Sequence, residues 1–245
     1  MFDMKILFIG NSYTYFYDMP KLFEGLAQAN GKSVKVHSVT EGGRKLYSFR
    51  DGSDAVTAEL DALLGEHYFD VCVIQEFSTL PLTDYKAFIS GVDCVSEKLQ
   101  GRADRLVLYS TWGRKEGSPT LAEYGWTNES MTEGLRLAYE SAAEKIGAQV
   151  SCVGLNFREV YTAHSDIELY DPDLTHPSYQ GSCLVALTHY HTVFNEFPEN
   201  TDSLTLSRDE TEAFKEAILL NREFSDKLRH ACYNEIDLIR FDKSS

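Results

Sequence analysis

Short apolar runs alternate with stretches of helical spacing along this chain, and that alternation constrains its fold more than any other feature. Met4–Gly10 (MKILFIG) is apolar almost throughout and ends in glycine. Such a run suits a strand covered on both faces, as in a parallel sheet. Pro20–Asn30 follows, with Leu22, Phe23, Leu26 and Ala27 at helical spacing and Gly31 as its stop. Ser33–Thr40 alternates like a strand, and Ala55–Leu64 carries Leu60, Leu63 and Leu64 on one helical face. Further strands are predicted at Phe69–Gln75, Arg105–Thr111 and Gln149–Val153. Further helices are predicted at Tyr85–Leu99, Asn128–Ile146, Ser178–Phe194 and Arg208–Leu228. Strand–helix alternation of this kind predicts an α/β fold in which right-handed crossovers place helices on both faces of a parallel sheet.

No linker, repeat or low-complexity tract interrupts the pattern, so residues 1–245 read as one domain. The longest irregular stretch, Gly113–Thr127, reads as a loop beside a site. Apolar residues make up 43% of the chain, enough for a sizeable core, yet no run of 18 of them marks a membrane span. The opening residues lack the pattern of a secretory signal. A net charge of −15 repels phosphate backbones and anionic lipid, which argues against nucleic acid and membrane as partners. The cysteines, Cys72, Cys94, Cys152, Cys183 and Cys232, are odd in number and mostly set in apolar runs. They fit reduced thiols in a cytoplasmic protein, and no pair has zinc-site spacing.

In open α/β sheets, ligands bind beyond the carboxyl ends of the strands. The first strand is followed by Asn11-Ser12-Tyr13 and the second by Glu41-Gly42-Gly43-Arg44. The third ends in Gln75-Glu76-Phe77-Ser78 and the fourth in Thr111-Trp112-Gly113-Arg114. The segment after the fifth reaches Asp171-Pro172-Asp173-Leu174-Thr175-His176. Topology alone brings a hydroxyl, a glycine pair, an amide and an Asp/His pair to one edge. These groups suit acyl transfer. A serine needs a base to become a nucleophile, histidine has the right basicity for that, and a carboxylate must orient the imidazole. Asp173 and His176, three residues apart, fall on one side of a turn. Asp171 is the alternative orienter.

KILFIGNSYTY and DLTHPS resemble the first and last blocks of the GDSL/SGNH hydrolases, and Gly43 matches the glycine of their second block. The resemblance spans about the first 180 residues. It is nearest to a subgroup with Gly-Asn-Ser first and Gln-Glu third. It implies a three-layer α/β/α sandwich with five parallel strands in flavodoxin-like order. It also implies a cofactor-free, metal-free serine esterase with Ser12 as nucleophile, His176 as base and Asp173 as orienter. Oxyanion donors would be the Ser12 and Gly43 amides and the Gln75 side chain. Two departures stand out. Asn11 replaces the usual Asp, and Gln75-Glu76 stands where Gly-x-Asn-Asp is usual, which leaves Ser78 as an alternative donor to Gln75.

Each of these residues also has a plainer role open to it. Gly42 competes with Gly43 as donor, and both glycines would serve a tight turn. Gln75 could satisfy buried backbone groups instead. Glu76 and Arg114 either pair across the site or face water. Tyr13, Tyr15 and Trp112 either form a wall against which a sugar stacks or pack in the core. The loops 41–54 and 113–127 are polar and glycine-rich, which favours a short acyl group on a polar alcohol: a small-molecule ester, with an acetylated carbohydrate foremost. The rival expectations are a non-catalytic binding protein holding a sugar ester or phosphate on the same fold, and a flavodoxin-like nucleotide binder. The latter lacks the glycine-rich phosphate loop it needs.

Overall fold

A computed structural model of the chain describes residues 3–228. Cys232 lies outside them. Five strands, β1 (Met4–Gly10), β2 (Val34–Thr40), β3 (Phe69–Ile74), β4 (Ala103–Tyr109) and β5 (Gln149–Ser151), form a wholly parallel sheet in the order β2-β1-β3-β4-β5. This is the flavodoxin-like order. The helices in chain order are α1 (Ser12–Tyr15), α2 (Met19–Ala29), α3 (Ala55–Glu66), α4 (Leu80–Thr83), α5 (Tyr85–Leu99), α6 (Pro119–Tyr124), α7 (Asn128–Ile146), α8 (Val153–Ala163), α9 (Tyr179–Phe194) and α10 (Arg208–Leu228). Short 3-10 turns occupy Phe16–Asp18 and Leu46–Arg50.

Side-chain alternation along the strands explains the three layers. Ile6, Phe8, Val71, Val73, Val107 and Tyr109 point to one face, where they meet Phe23 and Leu26 of α2, Phe157 of α8, the buried length of α9 and Phe214 of α10. Leu7, Ile9, Cys72, Ile74 and Leu108 point to the other, against Leu60 of α3, Phe88 and Val92 of α5, and Leu135 and Tyr139 of α7. Both faces of the central strands are therefore dry, which is why MKILFIG shows no polar alternation. Burying each large apolar side chain contributes roughly 1.5–3 kcal/mol, so the two cores outweigh any single loop contact.

Some boundaries differ from those expected. β4 begins at Ala103 and ends at Tyr109 rather than running Arg105–Thr111, and β5 stops at Ser151. Val153, expected in the last strand, opens α8, whose Val153, Phe157 and Val160 recur at helical spacing and are buried. Close packing forces the change of direction. A Cβ on Gly154 would fall 2.2 Å from the Thr111 carbonyl oxygen, so only glycine lets α8 start against the end of β4.

Register levels the strand ends. Gly10 pairs with Thr40 and Ile9 with Ile74. The segments carrying Ser12, Gly42-Gly43 and Gln75 therefore leave the sheet at one edge. Cys72, Cys94 and Cys183 are buried, and burial pushes the Cys72 and Cys183 thiols up to about 12. Among the described residues, no helix is long and apolar enough to cross a membrane, and no cluster of three His, Cys, Asp or Glu side chains could hold a metal.

Candidate active site

The first turn after β1 is built around Asn11. Its side-chain oxygen accepts from the Tyr13 amide and caps α1. Its Nδ2 donates to the Arg44 carbonyl at 2.9 Å, which ties the turn to the loop after β2. An aspartate could cap but could not donate, so asparagine does a second job here. Ser12 is the first residue of α1, half-buried, with its hydroxyl facing the late Asp/His turn.

Ser12 Oγ lies 2.9 Å from His176 Nε2, and His176 Nδ1 lies 2.5 Å from Asp173 Oδ2. The other Asp173 oxygen accepts from the Thr175 and His176 amides, at 2.9 Å each. Partial burial works to raise the Asp173 carboxyl. The hydrogen bonds from the His176 ring and from the two amides outweigh it and hold the group below the usual carboxylate range. Asp171 does not reach the ring. Its amide donates to the His176 carbonyl and its carboxylate accepts from the Tyr17 hydroxyl.

One contact was not foreseen. Phe16 stacks on the imidazole, with centroids 4.2 Å apart and planes within 6°. Its position four residues after Ser12, on the same helical side, was the available signal.

No known family profile matches the chain, and no curated protein does. Solved structures do. A protein classed with the SGNH hydrolases from Slackia heliotrinireducens is 30% identical over 78% of this chain and 100% of its own, with a TM-score of 0.70. The chain belongs to the SGNH hydrolases. A DUF4886 family protein from Bacteroides uniformis shares the fold at 16% identity, over 92% of this chain and 96% of that one, with a TM-score of 0.77. So does Axe2, an acetylxylan esterase from Geobacillus stearothermophilus, at 13% identity over 83% and 95%, with a TM-score of 0.55.

In this SGNH hydrolase the remaining expected residues fall into two groups. Gly42 and Gly43 lie exposed on the loop that Asn11 anchors. Gly43 takes a left-handed φ of 71°, and a Cβ on Gly42 would approach the Tyr15 hydroxyl to 3.1 Å. Gln75, by contrast, is buried under the turn that carries Ser12. Its Oε1 accepts from the Asn11 amide at 2.9 Å and the Thr14 hydroxyl at 3.0 Å, and its Nε2 donates to the Glu76 carbonyl. Ser78 is buried and accepts from Arg114 Nη2 at 2.9 Å.

Glu76 and Arg114 neither pair nor face water. The Glu76 carboxylate accepts from the Leu46 and Phe77 amides, and burial lifts it to about 7. Burial also lowers the Arg114 guanidinium to about 10, with the Asp173 charge opposing. Tyr13 and Trp112 are core residues, 3% and 0% exposed and stacked on each other at 4.6 Å. Among the aromatic residues near Ser12, Tyr15 and Tyr17 are the ones that present rings to solvent, at 40% and 46% exposure.

Proposed function

We propose that this SGNH hydrolase is a serine esterase acting on short acyl esters, acetyl above all, of carbohydrates or similar polar alcohols. The observation that carries the reading is the unbroken line from Ser12 Oγ to His176 Nε2, and from His176 Nδ1 to Asp173 Oδ2. In the first half-reaction His176 Nε2 takes the Ser12 proton as Oγ attacks the carbonyl carbon. The C=O electron pair moves to oxygen, and on collapse the alcohol leaves with the proton from His176. Water then repeats the sequence on acyl-Ser12, giving the carboxylic acid and free serine. Asp173 holds the tautomer with Nδ1 protonated and stabilises the imidazolium.

The oxyanion would be met by the Ser12 and Gly43 amides. The Ser12 amide is the first of α1 and has no intrahelical partner. Gln75, expected from the sequence as a third donor, has both ends of its carboxamide engaged with the scaffold. Its contacts favour bracing the turn over touching substrate.

Short acyl groups are favoured by the polar loops 41–54 and 113–127, which offer no continuous aliphatic lining. A polar alcohol is favoured by the exposed Tyr15 and Tyr17 rings, whose faces suit the C–H side of a sugar and whose hydroxyls suit its edge. Chain-length profiling on p-nitrophenyl esters tests this. kcat/KM is expected to fall steeply beyond butyrate, and acetylated sugars to be turned over. A preference for octanoate would overturn the substrate assignment.

A further inference from the structure

Three side-chain donors meet on one backbone oxygen, the Thr175 carbonyl. Tyr13 Oη donates at 3.1 Å, Trp112 Nε1 at 3.2 Å and Arg114 Nη1 at 3.5 Å. A carbonyl has two lone pairs, so a third donor is more than satisfaction requires. Thr175 immediately precedes His176, and the peptide between them carries the amide that Asp173 also binds.

Each donor is itself immobilised. The Trp112 indole is fully buried between Phe157, stacked at 4.0 Å and 5°, and Tyr13. Arg114 is 6% exposed, and its guanidinium sits 5.2 Å above the Tyr13 ring and binds Ser78 through Nη2. The backbone between them is fixed from below, because Asn128 Nδ2 donates to the carbonyls of both Gly113 and Arg114. Gly113 has no alternative residue, since a Cβ there would fall 2.3 Å from the Asn128 carbonyl oxygen. The same loop takes a second grip on the turn, through Lys115 N to the Leu174 carbonyl at 3.0 Å. Leu174 holds a left-handed φ of 61°, a conformation that a leucine keeps only under outside restraint.

We propose that Tyr13, Trp112 and Arg114 are positioning residues that clamp the Thr175 carbonyl and so hold the His176 ring at hydrogen-bonding distance from Ser12. The inference rests on the esterase reading of that pair. His176 and Asp173 are on the surface side of the site, with 23% and 48% of their side chains exposed, so their own contacts do not bury them in place. Release of the Thr175 carbonyl frees the preceding peptide to rotate and carries the imidazole with it. A misplacement of about 1 Å at a reacting group costs on the order of 100-fold in rate.

Tyr13→Phe and Trp112→Phe each delete one donor and keep an aromatic ring. Each is expected to lower kcat on p-nitrophenyl acetate about fivefold with KM within about twofold, a transition-state-type loss. The double variant is expected to lose more than the product, on the order of 100-fold, because each single variant keeps two donors on the oxygen whereas the double keeps only Arg114, at 3.5 Å. The downfield proton resonance of the His176–Asp173 hydrogen bond is expected to broaden in step, while the thermal midpoints stay within a few degrees. A folded double variant with unchanged kcat and an unchanged resonance overturns the clamp, as does a loss confined to KM. If the double variant does not fold, the two single variants carry the same readouts. If the wild type turns over no ester, the esterase reading fails, and the resonance still reports on the clamp.

Discussion

Replacing Gln75 by leucine removes a side chain that serves three buried groups at once. The Asn11 amide and the Thr14 hydroxyl lose their acceptor, and the Glu76 carbonyl loses a donor. The site is closed to water, since Gln75, Asn11 and Thr14 are each about 1% exposed and Glu76 is fully buried. A buried polar group left without a partner costs about 1–3 kcal/mol, so three of them cost about 3–6 kcal/mol after partial relaxation. That is a large part of the roughly 5–15 kcal/mol that holds a typical domain together. Urea unfolding followed by tryptophan fluorescence should show the midpoint falling with the slope unchanged. Thr14→Val, which removes only one of the three contacts, should cost about 1–2 kcal/mol. A Gln75→Leu protein with a wild-type midpoint and a kcat lowered about 100-fold would refute the reasoning. It would return Gln75 to the oxyanion hole, where a lost donor has that effect.

Glu76→Gln should change how stability depends on pH. Burial lifts the Glu76 carboxyl from the usual 4.5 to about 7, against the amides of Phe77 and Leu46 and the charge of Lys45. Between those values the folded chain keeps a proton that the unfolded chain has lost. The wild type should therefore lose up to about 3 kcal/mol as pH rises from 4.5 to 7 and then level off. Glu76→Gln should flatten that slope, and urea midpoints with parallel pH dependence in the two proteins would contradict the assignment. Phe16→Ala should strip one face of the His176 ring and lower kcat/KM about three- to tenfold, the worth of one aromatic pair. Unchanged kinetics in a folded variant would show that the stack does not hold the imidazole.

The parts of this fold that were legible in the sequence are those set by local pattern. β1 was read to the residue because a central strand covered on both faces has no polar alternation to blur its ends. α7 was read to the residue because its apolar spacing runs for about five turns and ends at Gly147, which takes a left-handed φ of 68°. α8 was missed although Val153, Phe157 and Val160 carry helical spacing, because the preceding strand is only three residues long and its apolar character ran into the helix. The juxtaposition of Asp173 and His176 was legible because it is made within one turn. Its meeting with Ser12 was legible through topology, which delivers both segments to one edge of the sheet, and through the resemblance of both segments to the GDSL/SGNH blocks.

What could not be read depends on depth, which sequence spacing does not encode. Tyr13 and Trp112 look the same as surface aromatics until α8 places Phe157 against the indole. Gln75 looks the same as a donor to substrate until Asn11 and Thr14 close over it. The Thr175 clamp was invisible because its acceptor is a backbone oxygen, which every residue has.

The central claim, that Ser12 is activated by His176 for acyl transfer, is tested most directly by reaction with a fluorophosphonate followed by peptide mass spectrometry on the wild type and on Ser12→Ala. The geometry predicts a single adduct on the peptide bearing Ser12, and loss of both adduct and esterase turnover in Ser12→Ala with the fold intact. An adduct on another residue, or full turnover by Ser12→Ala, would contradict it.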